Sequence, residues 1–300
     1  DSSILFVDNC SFFGNSASGG NGGAYYSSGG PLAEFSNSSF DLNLADYGAG
    51  ISFNSSDSKN VHDKIHVTNC TFTANVAALQ GGAINISNVT NVAITSCLIV
   101  DNVANGDGTG GGLSVNSSDT LAVAIDVMNC TFANNIGNLA SNVATWQDDA
   151  TAGDVQMTIQ NTIMSDPLSN NYAVEAGTPT VSSNGGNLSS DNSLISIFTQ
   201  TSDFNNEDPL FEDEVNADYR LSPTSICIDA GVVTNAPTDD VNGDPRVGNP
   251  DIGAIEYPYL SNTNNIEALE NGLEIYPNPV RETLQFSLEN EWNGTIQFSI

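Results

Sequence analysis

The sequence predicts an all-β fold: a right-handed parallel β-helix with three strands per coil, followed by the start of a small β-sandwich. Three observations predict it. A motif recurs five times at a spacing near 30 residues and fades in a sixth copy. Each copy carries short stretches in which apolar and polar residues alternate, the period of a half-buried strand. The composition, with 39 Asn and 27 Gly among 300 residues and abundant Ser and Thr, favours turns, corners and pleated surfaces over helix interiors.

The register defines each element in turn. Aligned on Cys10, Ser38, Cys70, Cys97, Cys130 and Thr162, the copies stand 28, 32, 27, 33 and 32 residues apart. The strand before each anchor carries paired apolar positions: Leu5/Val7, Ala33/Phe35, Ile65/Val67, Val92/Ile94, Ile125/Val127 and Met157/Ile159. A bend follows at Asn9, Asn37, Asn69, Ser96, Asn129 and Asn161, one position before the anchor. Two positions after it stand Phe12, Phe40, Phe72, Ile99, Phe132 and Met164 on a second strand. Five positions after it stand Asn15, Asn43, Asn75, Asn102 and Asn135, until Pro167 breaks the series. Seven after it come Ala17, Ala45, Ala77, Ala104 and Gly137, read as a turn. A glycine corner then opens the third strand: GGAY at 22–25, GAGI at 48–51, GGAI at 81–84 and GGGL at 110–113.

One such unit cannot enclose a core, but stacked copies can, at about 4.8 Å per coil, so six coils span roughly 29 Å. Stacking brings equivalent residues into columns. The Asn series are expected to form side-chain amide ladders and the Phe series an aromatic ladder. The winding hand follows from the general rule for parallel crossovers. A leucine-rich repeat is the main competitor, but its leucine spacing and helical segment are absent. The cysteines at equivalent positions, Cys70, Cys97 and Cys130, suit buried stacked thiols better than disulfides, and the five cysteines contain no CxxC pair. Residues 1–7 already carry an inward-facing strand pattern, which predicts further coils upstream.

The FxxN motif, Phe12 to Asn15, Phe40 to Asn43, Phe72 to Asn75 and Phe132 to Asn135, paired with GGA-apolar corners, resembles the repeats of polymorphic outer-membrane proteins and related β-helical adhesins over about residues 5–165. That resemblance implies a surface-exposed stalk. Further on, NGGNLSSD at 184–191, EDPLF at 207–211, ADYRLSPTSICIDAG at 217–231 and DDVNGDPRVGNPDIGAIEY at 239–257 form an ordered series similar to the choice-of-anchor Q domain of bacterial β-helix surface proteins. LEIYPNPVRETLQFSL at 273–288 resembles the C-terminal sorting domain of type IX secretion substrates, of which the sequence covers the first half. The implied organisation is coils over 1–204, a C-terminal cap over 205–258, a polar linker over 259–272 and the sorting domain from 273 to 300. The resemblance implies export across the outer membrane through the type IX machinery and a place at the cell surface.

Charge narrows the function. Asp plus Glu number 36 against 5 Lys plus Arg, a net charge of −31. Phosphate contacts need clustered Lys and Arg, so nucleic acid is excluded as a partner, and an anionic membrane surface is disfavoured. No apolar run approaches the 18 or more residues of a membrane span.

Three places invite chemistry. Asp240, Asn242, Asp244, the backbone of Arg246 and Asp251 fall at positions 1, 3, 5, 7 and 12 of an EF-hand-like count, a set of oxygens suited to Ca²⁺. Pro245 replaces the turn glycine and Asp the bidentate Glu, so an Asp/Asn turn tied to Arg246 is the competing reading. Arg220 and Arg246 are expected to pair with carboxylates such as Asp229, Asp251 or Glu256. His62 and His66 form a possible metal pair without a third ligand. Parallel β-helices include polysaccharide lyases and hydrolases, and the adjacent acids Asp148 and Asp149 could do glycosidase work. Yet residues 65–219 contain no Lys or Arg to support charge developing beside a substrate carboxylate. Trp146 is a candidate sugar platform, with core packing as its default.

The expected function is a non-catalytic, secreted structural or adhesive surface protein that self-associates into a fibre or appendage, or binds a cell-surface glycan or protein. The alternatives are a carbohydrate-active β-helix enzyme and a calcium-dependent glycan-binding module.

Overall fold

The alternating stretches form strands because their β-branched and aromatic residues need a common apolar face that one coil cannot supply alone. In the computed structural model, residues 4–28, 32–55, 64–106, 110–118, 120, 122–148, 153–166 and 169–257 are described, with the backbone of Leu273–Tyr276 and Gln285–Leu288. Strands stack into four parallel sheets, each in strict chain order. The first sheet runs in seven strands from Ile4–Asp8 to Thr180–Ser183, and the second in eight from Ser11–Phe13 to Phe204–Asn205. The third holds five strands, Ser16–Asn21 to Ile136–Gly137, and the fourth six, Tyr25–Ser28 to Tyr172–Ala176. Five coils carry all four strands: coil one over 4–28, two over 32–54, three over 64–87, four over 91–117 and five over 123–147. A sixth, over 155–176, lacks the third-sheet strand among the described residues.

The β-solenoid is therefore as the repeat predicts, with one correction. Each complete coil has four strands, not three, because the Asn-x-Ala segment expected as a turn pairs with its neighbours, Ala17 opposite Ala45 and Ala77 opposite Ala104. Small side chains suit this sheet, whose buried Ala45 and Ala77 form an apolar cluster with Ala17 and with Ala49 of the glycine corner.

The predicted columns line the core. Phe35, Ile65, Val67, Ile94, Val127 and Ile159 from the first sheet, Phe40, Phe72, Ile99, Phe132 and Met164 from the second, and Ile51, Phe53, Ile84, Ile86, Leu113 and Val115 from the fourth are all buried in one cluster. Phe12, Phe40 and Phe72 stack with ring centroids 4.8 and 4.6 Å apart and planes within 2° and 6°. Ile99 then ends the stack, so Phe132 joins the core without a ring beneath it.

The amide ladder belongs to the inner Asn series. Asn43 sends both its backbone N–H (3.0 Å) and its Nδ2 (2.9 Å) to Asn75 Oδ1, and its second Nδ2 hydrogen to the Phe12 carbonyl (3.0 Å). Asn15, Asn75 and Asn102 bond the Asn of the next coil in the same way, at 2.9–3.0 Å. Where Pro167 removes the next rung, the row steps sideways: Asn135 Nδ2 donates to Asn142 Oδ1 (2.8 Å) and Asn142 Nδ2 to Asn171 Oδ1 (2.7 Å). Asn171 finally donates to Asp191. The outer series forms its amide ladder only in part, with Asn69 Nδ2 donating to Asn37 Oδ1 (3.4 Å) and Asn161 Nδ2 to Asn129 Oδ1 (3.1 Å). Asn9, Asn37, Asn69, Asn129 and Asn161, with Ser96, have φ of 48–52° and turn the corner between the first two sheets, a left-handed conformation Asn tolerates. The next residue braces the corner, since Ser38, Thr162 and the thiols of Cys10, Cys70, Cys97 and Cys130 all donate to the carbonyl two residues back. The cysteines are all free, as the stacked-thiol reading expects.

A second left-handed corner precedes each inner Asn, at Gly14, Leu42, Ala74, Asp101 and Asn134. At the glycine corner, Gly81 has φ of 60°, and a Cβ on Gly82 would collide with the Gly111 carbonyl of the following coil.

The far end is closed by residues 191–203, just ahead of the expected cap. Leu194 and Phe198 are buried in the solenoid core and Ile197 packs against it. Residues 207–257 instead lie along the flank, as described below. Residues 258–300 form a separate unit in which Leu273–Tyr276 pairs antiparallel with Gln285–Leu288. The linker 259–272, His62, Asp149 and Pro167 lie outside the described residues.

Two stability predictions follow from these rows. Asn75→Ala strips four hydrogen bonds from a dry site and is expected to cost about 4 kcal/mol, against about 1 kcal/mol for Asn15→Ala at the exposed end of the row, read from denaturant midpoints. Leu42→Asn, at an exposed left-handed position that Asn134 occupies in coil five, is expected to add about 1 kcal/mol by relieving backbone strain.

Candidate functional site

The flanking segment folds onto the outward face of the second sheet. Its one hairpin, Phe211–Asp213 with Asp218–Leu221, aims Tyr219 at Val100 and Ala133, where the ring is buried. The Tyr219 hydroxyl donates to Asp101 and accepts from Asn134 Nδ2, all at 3.1 Å. Burial, and then the Asp101 charge, pushes its ionisation well above the usual phenol range. Leu221, Cys227 and Ile252 cover Ile163 and Leu188. Burial pushes the Cys227 thiol up to about 12, so it packs as a neutral group.

The outer corner residues of coils four to six are spent on this segment. Ser96 Oγ donates to the Asp239 carbonyl (3.2 Å) and Asn129 Nδ2 to the Asp251 carbonyl (3.2 Å). Asn161 accepts from the Val232 N–H (2.7 Å) and donates to the Val232 carbonyl (2.9 Å). Thr131 Oγ1 accepts from the Ala254 N–H at 2.9 Å.

Every residue of the suspected calcium loop is described. Asp240 is fully buried, and its Oδ1 accepts the N–H groups of Asn242 (2.7 Å) and Asp244 (3.0 Å) while its Oδ2 accepts that of Glu256 (3.1 Å). Asp251 accepts the N–H groups of Asp229 (2.7 Å) and Tyr257. The Arg246 guanidinium, almost wholly enclosed, pairs with Glu256 at 2.9 Å and donates to the Gly253 and Ala254 carbonyls. The acids thus cap backbone N–H groups, and no three His, Cys, Asp or Glu side chains converge on a metal position among the described residues. The Asp/Asn turn is present, and Arg246 pairs with Glu256, one of the carboxylates expected for it. Arg220 departs from expectation: it pairs with Asp218, two residues away on the outward face of the same strand, where an ion pair contributes little.

The other candidates are dispersed. His66 stands on the outward face of the first sheet beside Glu34. Asp148 is exposed, with its N–H on the Ser117 carbonyl. Trp146 is half-buried on the fourth sheet.

One cleft, of about 530 Å³, lies where the flanking segment stops covering the corner. Its floor is the same column on coils one to three: Asn9, Asn37 and Asn69, with Cys10 and Ser38 beside them and Ser11, Ser39 and Thr71 on the second sheet. Val241 and Asn242 close one side. The lining is amide and hydroxyl, with one thiol and one isopropyl group, and carries no charged side chain. Asn69 Oδ1 is shielded from water and has no hydrogen-bond partner in the chain, a deficit of about 1–3 kcal/mol. Sequence reasoning missed this cleft. It reads the corner Asn residues as a ladder, of which the Asn37–Asn69 rung is made, and Asn242 as a cation ligand.

No protein-family model matches this chain, and neither a curated protein nor a solved structure matches it. Among the described residues no helix is long and apolar enough to cross a membrane.

The docked flank makes a pH prediction. Burial pushes the Asp251 carboxyl up to about 6, and burial also raises Asp101 and Glu214, the latter with the negative charges of Asp208, Asp166 and Asp101. An unfolded Asp releases its proton near pH 4, so the folded segment holds the extra proton between about 4 and 6. Docking is therefore strongest at the acid end of that window and weakens as pH rises through about 6. Hydrogen exchange, corrected for intrinsic rate, should show the Gly253 and Ala254 amides better protected at about pH 5 than at about pH 7.5, a difference that Asp251→Asn reduces.

Proposed function

We propose that this chain is a non-catalytic, secreted structural or adhesive protein of the bacterial cell surface, with the β-solenoid as a rigid stalk. The observation that carries this reading is the unbroken row of side-chain amides running from coil one to the closing segment, buried from coil two onward, which locks coils one to five to one another at both backbone and side chain and continues through side chains to Asp191. A rod built this way resists bending and local opening, the property a stalk needs. The neutral lining of the cleft also supports it. General acid–base catalysis needs a titratable group within hydrogen-bond reach of the reacting atoms, and Cys10, the one ionisable side chain there, has no His beside it in the lining.

The resemblance to adhesin repeats, to the choice-of-anchor Q domain and to the type IX sorting domain supports placement outside the cell, with the C-terminal residues addressing the type IX machinery. Self-association is the partner reading, and the net charge of −31 sets its condition: copies meet only where salt screens the repulsion.

Light scattering and electron microscopy on the full chain at moderate salt test this reading, alongside incubation with pectin, alginate and xylan. Ordered oligomers or fibres and no release of reducing ends are expected. A monodisperse monomer at all salt concentrations overturns self-association, and polysaccharide turnover overturns the non-catalytic assignment.

A further inference from the structure

The outer corner column has one chemistry and two fates. On coils four to six its side chains bond peptide groups of the flanking segment: Ser96 with Asp239, Asn129 with Asp251, Asn161 with Val232. On coils one to three the equivalent Asn9, Asn37 and Asn69 face the cleft. We infer that this cleft binds a neutral, polyhydroxylated ligand, a chain of uncharged sugar residues. The inference deepens the adhesive reading above and rests on it.

Three observations carry it. Amides and hydroxyls both donate and accept, as sugar hydroxyls do; Asn37 is already bonded to Asp8 and Asn69, and Ser39 to Ser11, so a ligand hydroxyl meets their remaining hydrogens and lone pairs. No lining residue is charged, and a molecule of charge −31 repels uronic or sulfated chains. Phe13 stands two residues beyond Ser11 on the same strand, hence on the same face of the second sheet, and is 67% exposed, offering a flat apolar surface to a sugar ring. The coil rise of about 4.8 Å is close to the advance of one residue in an extended glycan, so successive rings meet equivalent side chains. A polypeptide uses the same hydrogen-bonding groups on coils four to six, but there it also buries Tyr219 and Ile252 against apolar neighbours. The cleft offers a polar lining with one valine, which favours the sugar.

Calorimetric titration of the full chain with cellohexaose, maltohexaose and mannohexaose tests the assignment, with oligogalacturonate and a Ser/Asn-rich peptide as comparators. At least one neutral hexasaccharide is expected to bind, and to bind better than either comparator. Ser39→Trp, which fills the cleft from an outward strand position, is expected to weaken binding by more than about tenfold, and Phe13→Ala, at an exposed site without structural duty, by about fivefold. Absence of binding by all three sugars, preference for oligogalacturonate or for the peptide, or undiminished binding in both variants overturns the proposal. Release of reducing ends from a bound sugar would leave the site assignment intact and overturn only the non-catalytic reading.

Discussion

The buried asparagine row is the interaction on which the rest of this structure depends. A side-chain amide in a dry interior is costly unless all its groups are paired, and here each central Asn has two hydrogens donated and an oxygen accepting twice. Coils one to five each present an Asn at the same height. That shared height fixes the distance from the Phe of the second sheet to the start of the third, and with it the register of the aromatic stack. It also explains how Leu42 and Ala74 come to sit in a left-handed conformation that neither favours, since the rung that follows each of them is bonded through its own backbone N–H. The copies differ in spacing from 27 to 33 residues, yet every rung from Asn15 to Asn135 is made.

The flanking segment is held by a different balance. Its apolar anchors, Tyr219, Leu221 and Ile252, supply burial, while its buried acids sit on backbone N–H groups around a single guanidinium. Burial, with the negative charges of Glu256 and Asp229 beside it, makes Asp251 hold its proton to unusually high pH. The solenoid and its brace thus respond to different variables: the amide row carries no charge, and the brace titrates.

Much of the solenoid was legible in the sequence because period-two alternation and a fixed register are both local in a repeat. The core columns, the free thiols and the fading of the sixth copy at Pro167 all follow from spacing. The fourth strand of each coil was not legible, since segments such as Val103–Ala104 and Ile136–Gly137 are too short to show alternation. Nor was the sideways step of the row through Asn142 and Asn171, which depends on the glycine corner lying against the Asn column; at the equivalent place in coil four, a Cβ on Gly112 would press on Asn135. The flank was beyond reach for a simpler reason. Its contacts join residues as far apart as Ser96 and Asp239, 143 positions, and no repeat encodes them. The cleft inherits that difficulty, because Asn242 reaches it from the far end of the chain while its floor comes from the first three coils.

Asp191 has a consequence for how a solenoid knows where to stop. Along the row every side chain passes hydrogens toward the C-terminal neighbour and receives them from the N-terminal one. Asp191 receives from Asn171, and its carboxylate, held ionised by the hydroxyls of Ser189 and Ser193 and by Asn171 against the opposing effect of burial, has no hydrogen to pass on. Asp203 closes the adjacent corner column in the same manner, accepting both the backbone N–H and the Nδ2 of Asn187. The two residues bracket the segment that plugs the core. A polymer of amides is thereby terminated by chain-end chemistry: a monomer that can accept but not donate acts as a stopper, and the C-terminal end of the rod is written in the placement of two acids.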